Sequence, residues 1–199
     1  MALKSTTLQG VPQFERALRR FKEELLVEFR KVVASETLEA RNNAILLLTS
    51  PSGDHETAAI DTGQLRQSIH PRFKNNGLTG EIFTTNRHAP FIEFGTGTRN
   101  EVPPEAIDAG AFKGSGKRHA PFSPEAIEAL SAWARRHGFR DPQSAAWAIA
   151  RNIYRRGGMP PRPFIYPSIK RSQFHFVRRL TDAIKRLEKR HTKKGRGRP

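Results

Sequence analysis

The stretch Ala89-Pro90-Phe91-Ile92-Glu93-Phe94-Gly95-Thr96-Gly97 is the part of the sequence that decides the fold, because a short apolar element runs directly into a glycine turn. Its large apolar side chains are suited to a core behind a small sheet: Phe91, Ile92 and Phe94. Gly95 is suited to a turn position with unusual φ. Glu93 is an acid between apolar neighbours, and buried polar groups need hydrogen-bond partners. We therefore expect Glu93 to bond backbone donors in the glycine turn or an arginine.

The residues before this stretch predict a short helical turn followed by a β-hairpin. Thr62-Gly63-Gln64-Leu65-Arg66-Gln67-Ser68-Ile69 predicts the helical turn, capped by Asp61 or Thr62 and stopped by Pro71. Residues 72–74 and 78–85 flank Asn75-Asn76-Gly77, a hairpin signal because Asn and Gly tolerate positive φ. Within the helical turn and the strand that follows, Leu65 and Ile69 are expected to join the core, and Gly63 to take an unusual φ.

Long amphipathic helices are predicted near both ends of the chain. Residues 13–50 contain neither Gly nor Pro, and apolar residues recur every three or four positions, with a weaker stretch that allows a break near Ser35. The residues of this stripe are Phe14, Leu18, Phe21, Leu25, Phe29 and Val32. The proline-rich residues 159–167 are predicted to be extended. A final helix is predicted from residue 168 to about 190, docked by Phe174, Val177, Leu180, Ile184 and Leu187.

The region between the glycine turn and the proline segment predicts a loop followed by two helices. Residues 98–123 contain prolines, glycines and basic residues, which is typical of a mobile basic loop. Ser123-Pro124 and Asp141-Pro142 are helix starts for residues 125–137 and 143–156, and glycines end both helices. Facing apolar stripes predict that the two helices form a hairpin; their residues are Ile127, Leu130, Trp133, Ala146, Trp147, Ala150, Ile153 and Tyr154.

The charge of the chain is high and unevenly distributed. The net charge is +16, and residues 170–199 carry twelve Lys and Arg against Asp182 and Glu188. This asymmetry indicates a polyanionic neighbour, which by charge alone is a nucleic acid, an acidic protein surface or a membrane. On the final helix the basic residues expected to face it are Arg178, Arg179, Lys185, Arg186, Lys189 and Arg190. Residues 191–199 are predicted to be a basic flexible tail.

Composition narrows the class of protein further. Hydrophobic residues make up 36% of the 199 residues, which is low for a compact globule. Either some segments lie outside the core, or part of the burial occurs against other subunits. The absence of cysteine excludes disulfides, thiolate metal sites and cysteine nucleophiles. The apolar run at residues 44–48 is far too short to span a bilayer, and the N-terminus lacks the apolar stretch of a signal peptide. We expect assembly in the cytoplasm and no membrane partner.

No catalytic or cofactor motif is convincing. Gly110-Ala111-Phe112-Lys113-Gly114-Ser115-Gly116-Lys117 has five residues where a phosphate-binding loop has four, and Arg118 stands where that loop has Ser or Thr. Gly95-Thr96-Gly97 is too short for a dinucleotide fingerprint. Asp54-His55-Glu56 is a poor metal site, because adjacent loop residues rarely converge on one ion. We assign no catalytic, metal or cofactor residue and expect no enzyme.

Three patterns together resemble the siphophage minor-tail or tail-completion proteins of the head–tail junction. They are Thr62-Gly63 with Leu65, Ser68 and Ile69; the segment from Ala89 to Gly97 containing Glu93, Phe94, Gly95, Thr96 and Gly97; and Pro161-Arg162-Pro163-Phe164 with Pro167. Their order after a long N-terminal helix matches that family over roughly residues 10–190. Many members pass from the second pattern to the third in a short loop, whereas here residues 98–159 intervene.

The resemblance implies an α+β fold, in which a small antiparallel sheet is packed by the long N-terminal and C-terminal helices, with an inserted helical hairpin. Residues 1–190 would form a single domain, with residues 98–123 and 124–158 as the insertion and 191–199 as the tail. It also implies a six-fold ring in the virion, binding connector (neck) and tail-terminator or tail-tube proteins and surrounding the DNA channel. The alternative is a basic nucleic-acid-binding protein that is not part of a ring.

Overall fold

The α+β prediction is confirmed by the computed structural model, which describes residues 11–50, 61–108 and 123–195. A two-stranded antiparallel sheet packs against long helices from both ends of the chain. The helices are α1 (Val11–Thr49), α2 (Gln64–Gln67), α3 (Ala89–Phe94), α4 (Pro104–Asp108), α5 (Pro124–Arg136), α6 (Pro142–Arg155) and α7 (Ile165–Gly195), and the strands are β1 (Ile69–Lys74) and β2 (Thr79–Thr84).

Helix α1 is a single unbroken helix, so the break allowed near Ser35 does not occur. Its 39 residues correspond to a length of roughly 58 Å at 1.5 Å per residue. Its sole proline, Pro12, lies in the first turn, where no intrahelical N–H bond is lost. Helix α7 runs antiparallel to it: His191 lies against Phe21 with ring centroids 5.3 Å apart, and the Ser172 hydroxyl lies 2.8 Å from the Glu36 carboxylate.

The docking face predicted for α7 was partly wrong. Phe174 and Val177 are 77% and 66% exposed, although the sequence analysis placed both against the core. Leu187 is buried as predicted, and Leu180 and Ile184 are partly buried. The helix also buries Ser168 and Ala183, which were not predicted. Small side chains let the helix lie close to its neighbours. A pattern of apolar residues does not include serine, so it does not identify serine as a contact residue.

The ends of α7 also differ from the prediction. The helix begins at Ile165 and not at Ser168, because Pro167 lies in the first turn and costs no hydrogen bond there. It continues to Gly195, so the tail predicted from residue 191 is helical over residues 191–195. Residues 196–199 lie outside the described part of the chain.

The predicted hairpin is present, with Ile69 opposite Thr84 and Lys74 opposite Thr79. Its turn has positive φ at three successive residues, Asn75, Asn76 and Gly77, as the sequence predicted. Pro71, expected to stop the preceding helix, lies inside β1, and α2 ends earlier, at Gln67. The N-cap position of α2 is Gly63, at φ 77°, and the Thr62 hydroxyl accepts a long hydrogen bond of 3.5 Å from the Gln64 N–H, whereas Asp61 pairs with Arg136.

Helices α5 and α6 form the predicted helical hairpin. The Ser123 hydroxyl and the Asp141 carboxylate accept the capping hydrogen bonds at 3.3 and 3.1 Å. The hairpin has a small core of its own, made of Ile127, Ala146 and Ala150 with Leu130 beside it. Trp147 and Tyr154 of the predicted stripes are each 44% exposed, so that part of the prediction was wrong. An ion pair between Arg136 and Asp61 ties the hairpin to the rest of the protein.

The main core lies where α1, β1, α3 and the start of α7 meet. Its fully buried members are Ala44, Leu48, Ile69, Ala89 and Phe164. Among the described residues no helix is long and apolar enough to cross a bilayer.

Candidate functional site

The three motif segments, which are far apart in the sequence, meet at the main core. Ile69, Ala89 and Phe164 come from the first, second and third segment, and all are at most 3% exposed. Leu65 and Ile92 pack against them from the first and second segments. The fold therefore brings the motif residues together, with α1 behind them.

Glu93 is the polar centre of this junction. Its carboxylate accepts hydrogen bonds from the backbone N–H groups of Phe164 and Ile165 at 2.7 and 2.9 Å on Oε2, and of Tyr166 at 2.7 Å on Oε1. The side chain sits at the N-terminus of α7, where backbone N–H groups have no intrahelical acceptor and the helix dipole favours negative charge. The expected backbone donors exist, but they belong to α7 and not to the glycine turn, and no arginine takes part.

Opposing influences act on the protonation of Glu93. Burial raises the pKa of the carboxyl group, which is 4% exposed. The three backbone N–H groups stabilise the ionised form and act in the opposite direction. Burial dominates, so the pKa lies above the ordinary glutamate value.

We predict a pH dependence of stability from this raised pKa. The folded state holds the proton of Glu93 more tightly than the unfolded state, so the stability that proton binding contributes is lost as the pH rises through the folded pKa. The free energy of unfolding of the wild type, relative to Glu93→Gln, should therefore decrease as the pH rises from the ordinary glutamate pKa of about 4.3 through the raised pKa of the folded state. Urea unfolding of both proteins across this range measures the difference; a difference that is constant or grows with pH would contradict the prediction.

The glycine turn pairs with the segment that follows α6, and we call residues 95–98 together with 157–159 the glycine clasp. The backbone N–H of Thr96 donates to the carbonyl of Met159 at 2.9 Å, and that of Thr98 donates to the carbonyl of Gly157 at 2.8 Å. The Met159 N–H donates to the Thr96 hydroxyl at 2.8 Å. These bonds join the two ends of the insertion, so the chain leaves and re-enters the core at one place.

Glycine is required in the clasp because the two backbones touch. A Cβ on Gly97 would overlap the carbonyl oxygen of Gly157, and a Cβ on Gly158 would overlap that of Thr96. From the sequence, Gly157-Gly158 indicated only the end of a helix, since nothing local in that pair points to a partner some sixty positions away.

The remaining motif residues have local structural roles. The Ser68 hydroxyl donates to the Leu65 carbonyl at 2.8 Å and lies 2.6 Å from the Thr84 hydroxyl, which ties α2 to the end of the hairpin. Thr62 and Pro163 are exposed, whereas Phe94 and Pro167 are partly buried.

The candidate catalytic segments give no site within the described residues. Residues 54–56 and 110–117 both lie outside them. The described part of the chain holds no group of three His, Asp or Glu side chains that could bind a metal ion. The hydrogen bonds of Glu93 hold the start of α7 against α3.

The basic residues assigned to α7 divide into two sets. Arg179 does not face outward as predicted: it contacts the carboxylates of Glu36 and Glu39, each at 2.8 Å, because it lies on the side of α7 that faces α1. The pKa of Glu28 on α1 is lowered, chiefly by Lys31 with smaller contributions from Arg190 and Arg186. These three arginines thus lie on the α1 side, whereas Arg178, Lys185 and Lys189 point away from it.

No protein-family model, curated protein or solved structure compared with the chain matches it. The function is therefore argued from the residues of this chain and the motifs in its sequence.

Proposed function

We propose that the chain is a structural subunit of a tailed bacteriophage that forms a ring at the head–tail junction. The ring joins the connector to the tail tube or tail terminator and surrounds the DNA channel. The three motifs support the proposal, since they resemble the tail-completion family and their residues serve the junction that positions α7. The protein acts by binding its neighbours, and no step of catalysis is required.

One observation carries the assembly part of the proposal: the apolar stripe of α1 continues past the region that α7 covers. Phe21 and Phe29 contact α7 through His191 and Phe176. Phe14 and Leu18 belong to the same stripe but are 68% and 55% exposed, and every residue from 11 to 20 is exposed. A regular apolar face left uncovered by the described residues is typical of a subunit contact. We call residues 11–20 the α1 overhang.

A ring uses such a surface through heterologous contacts, in which the overhang of one subunit meets a different surface of the next. The overhang is also basic, with Arg16, Arg19 and Arg20 against Glu15. Its apolar residues then supply the binding energy, while its charged residues select the neighbouring surface.

The test is the oligomeric state of Phe14→Glu/Leu18→Glu. Two charges on the overhang should abolish the ring because they cannot be buried unpaired at a subunit contact. Size-exclusion chromatography with light scattering, with and without the connector and tail-tube proteins, measures the mass. Leu46→Glu is the matched control, because Leu46 is 58% exposed and lies near the other end of α1.

The expected result is a ring for the wild type and for Leu46→Glu, and a monomer for the double variant. A wild type that stays monomeric even with its neck partners would overturn the proposal. So would a double variant that assembles like the wild type. A monomeric wild type that nevertheless binds duplex DNA would support the alternative, a basic nucleic-acid-binding protein that is not part of a ring, which the exposed cations of α7 favour.

A further inference from the structure

The outward face of α7 carries a row of cations that no described acid neutralises. Arg171, Arg178, Lys185 and Lys189 follow one another at intervals of seven, seven and four residues, which places them on one face of the helix. All four are exposed, and none forms an ion pair with a described carboxylate, in contrast to Arg179, which contacts carboxylates of α1. We call these four residues the α7 basic row.

The acids near the row do not cancel it. Asp182 lies within one helical turn of Arg178 and Lys185, Glu188 lies within one turn of Lys185, and both acids are exposed. The four cations of the row outnumber these two acids, so an excess of positive charge remains. The described ion pairs of α7 involve other residues: besides those of Arg179, Lys170 lies 3.7 Å from Glu105, and His191 lies 3.1 Å from Glu24.

The length of the row suits duplex DNA. From Arg171 to Lys189 the helix rises roughly 27 Å at 1.5 Å per residue. Duplex DNA carries one phosphate per about 1.7 Å of axis when both strands are counted, so this length faces on the order of eight base pairs. Four cations spread over that distance can each approach a separate phosphate.

The side chains of the row favour phosphates over bases. This face carries neither Asn nor Gln, the residues that read adenine edges, between its cations. It has one exposed aromatic residue, Phe174, at 77% exposure. Single-strand binding relies on several aromatic residues that stack successive bases, and one phenylalanine does not provide that.

We propose that the α7 basic row binds the phosphate backbone of duplex DNA without regard to sequence. The identification of this DNA as the genome passing through the channel rests on the proposed function. The contact is electrostatic, so it holds the α7 face near the duplex without fixing a register on it. Arg179, Arg186 and Arg190, which lie on the α1 side, take no part in it.

The test is the salt dependence of binding to a 20-base-pair duplex, followed by fluorescence anisotropy in KCl. The row variant is Arg171→Gln/Arg178→Gln/Lys185→Gln/Lys189→Gln. Each phosphate contact contributes about 0.9 to the slope of log K against log[KCl], so loss of all four contacts should make the slope less negative by about 3.6. Affinity at low salt should fall at least about tenfold. Phe174→Ala should bind the duplex within about twofold of the wild type.

A charge-matched control separates the row from overall charge. Arg140→Gln/Arg151→Gln/Arg155→Gln/Arg156→Gln removes the same charge from exposed positions on and beside α6. It should keep the wild-type slope. Equal slope changes in the two variants would show that net charge and not the row binds DNA, and would overturn the inference. A wild type that does not bind the duplex at 50 mM KCl, or that prefers one of two unrelated duplexes more than about tenfold, would also overturn it.

The outcomes distinguish this inference from the ring proposal. Light scattering of the row variant reports assembly, and thermal unfolding shows that the variant is folded. A row variant that assembles normally but keeps the wild-type slope refutes the DNA contact alone. A monomeric wild type whose slope depends on the row refutes the ring and leaves the DNA contact standing.

Discussion

Gly95→Ala is expected to lower the free energy of unfolding by about 2–5 kcal/mol, whereas Gly138→Ala lowers it by about 1 kcal/mol. The two glycines have nearly the same φ, 73° and 75°, and Gly95 also has a ψ of −175°, which places it in a region that is essentially restricted to glycine. They differ in their surroundings. A Cβ on Gly95 would lie 2.7 Å from the carbonyl oxygens of Arg99 and Met159, whereas one on Gly138 meets nothing within 4 Å.

The pair therefore separates two costs of replacing glycine. Gly138→Ala measures the cost of positive φ at an open position, and the additional loss in Gly95→Ala measures the crowding of backbone against backbone in the glycine clasp together with the strain of a ψ near 180° at positive φ. Urea unfolding of both variants gives the two free energies. Equal losses would mean that the clasp is not packed as tightly as described.

Glu93→Ala is expected to cost about 3 kcal/mol, because three backbone N–H groups at the start of α7 lose their acceptor in a buried place. Glu93→Gln should cost less, since one side-chain oxygen remains, but its NH₂ group faces a donor. Amide exchange at residues 164–166 should accelerate in both variants, because the first turn of α7 then opens more readily.

Glu105→Gln is the control for Glu93. Glu105 is exposed and accepts a hydrogen bond from the Tyr166 hydroxyl at 3.0 Å, so it touches the same helical turn from the solvent side. Its replacement should leave the midpoint of urea unfolding unchanged. If Glu93→Ala were as stable as Glu105→Gln, the three hydrogen bonds to Glu93 would not determine the position of α7.

Features coded by neighbouring residues were predicted from the sequence. Asn75-Asn76-Gly77 specified a hairpin turn, and Ser123-Pro124 and Asp141-Pro142 specified the starts of α5 and α6, because each signal acts within a few residues of itself. The absence of Gly and Pro from residues 13–50 agrees with the bounds of α1, although its weakened periodicity allowed a break near Ser35 that does not occur.

Features that depend on distant residues were not predicted. The donors to Glu93 lie more than seventy positions away, and the partners of the glycine turn lie about sixty away. The residues around Glu93 and around the glycine turn do not indicate which distant residues they will contact. The contact face of α7 was predicted incorrectly for a different reason. Ser168 and Ala183 are buried, while the larger Phe174 faces solvent, so the assignment of large apolar side chains to the contact face was wrong there.

The glycine clasp makes the region between Thr98 and Gly157 removable in principle. Because these two residues are hydrogen bonded at 2.8 Å, a very short linker could replace everything between them. Such a shortened chain closes a small loop at little entropic cost and keeps the main core, while losing a helical hairpin that has its own core. In evolutionary terms the clasp is an insertion site: segments of different length or sequence can be gained or lost there while selection on the motif residues continues unchanged.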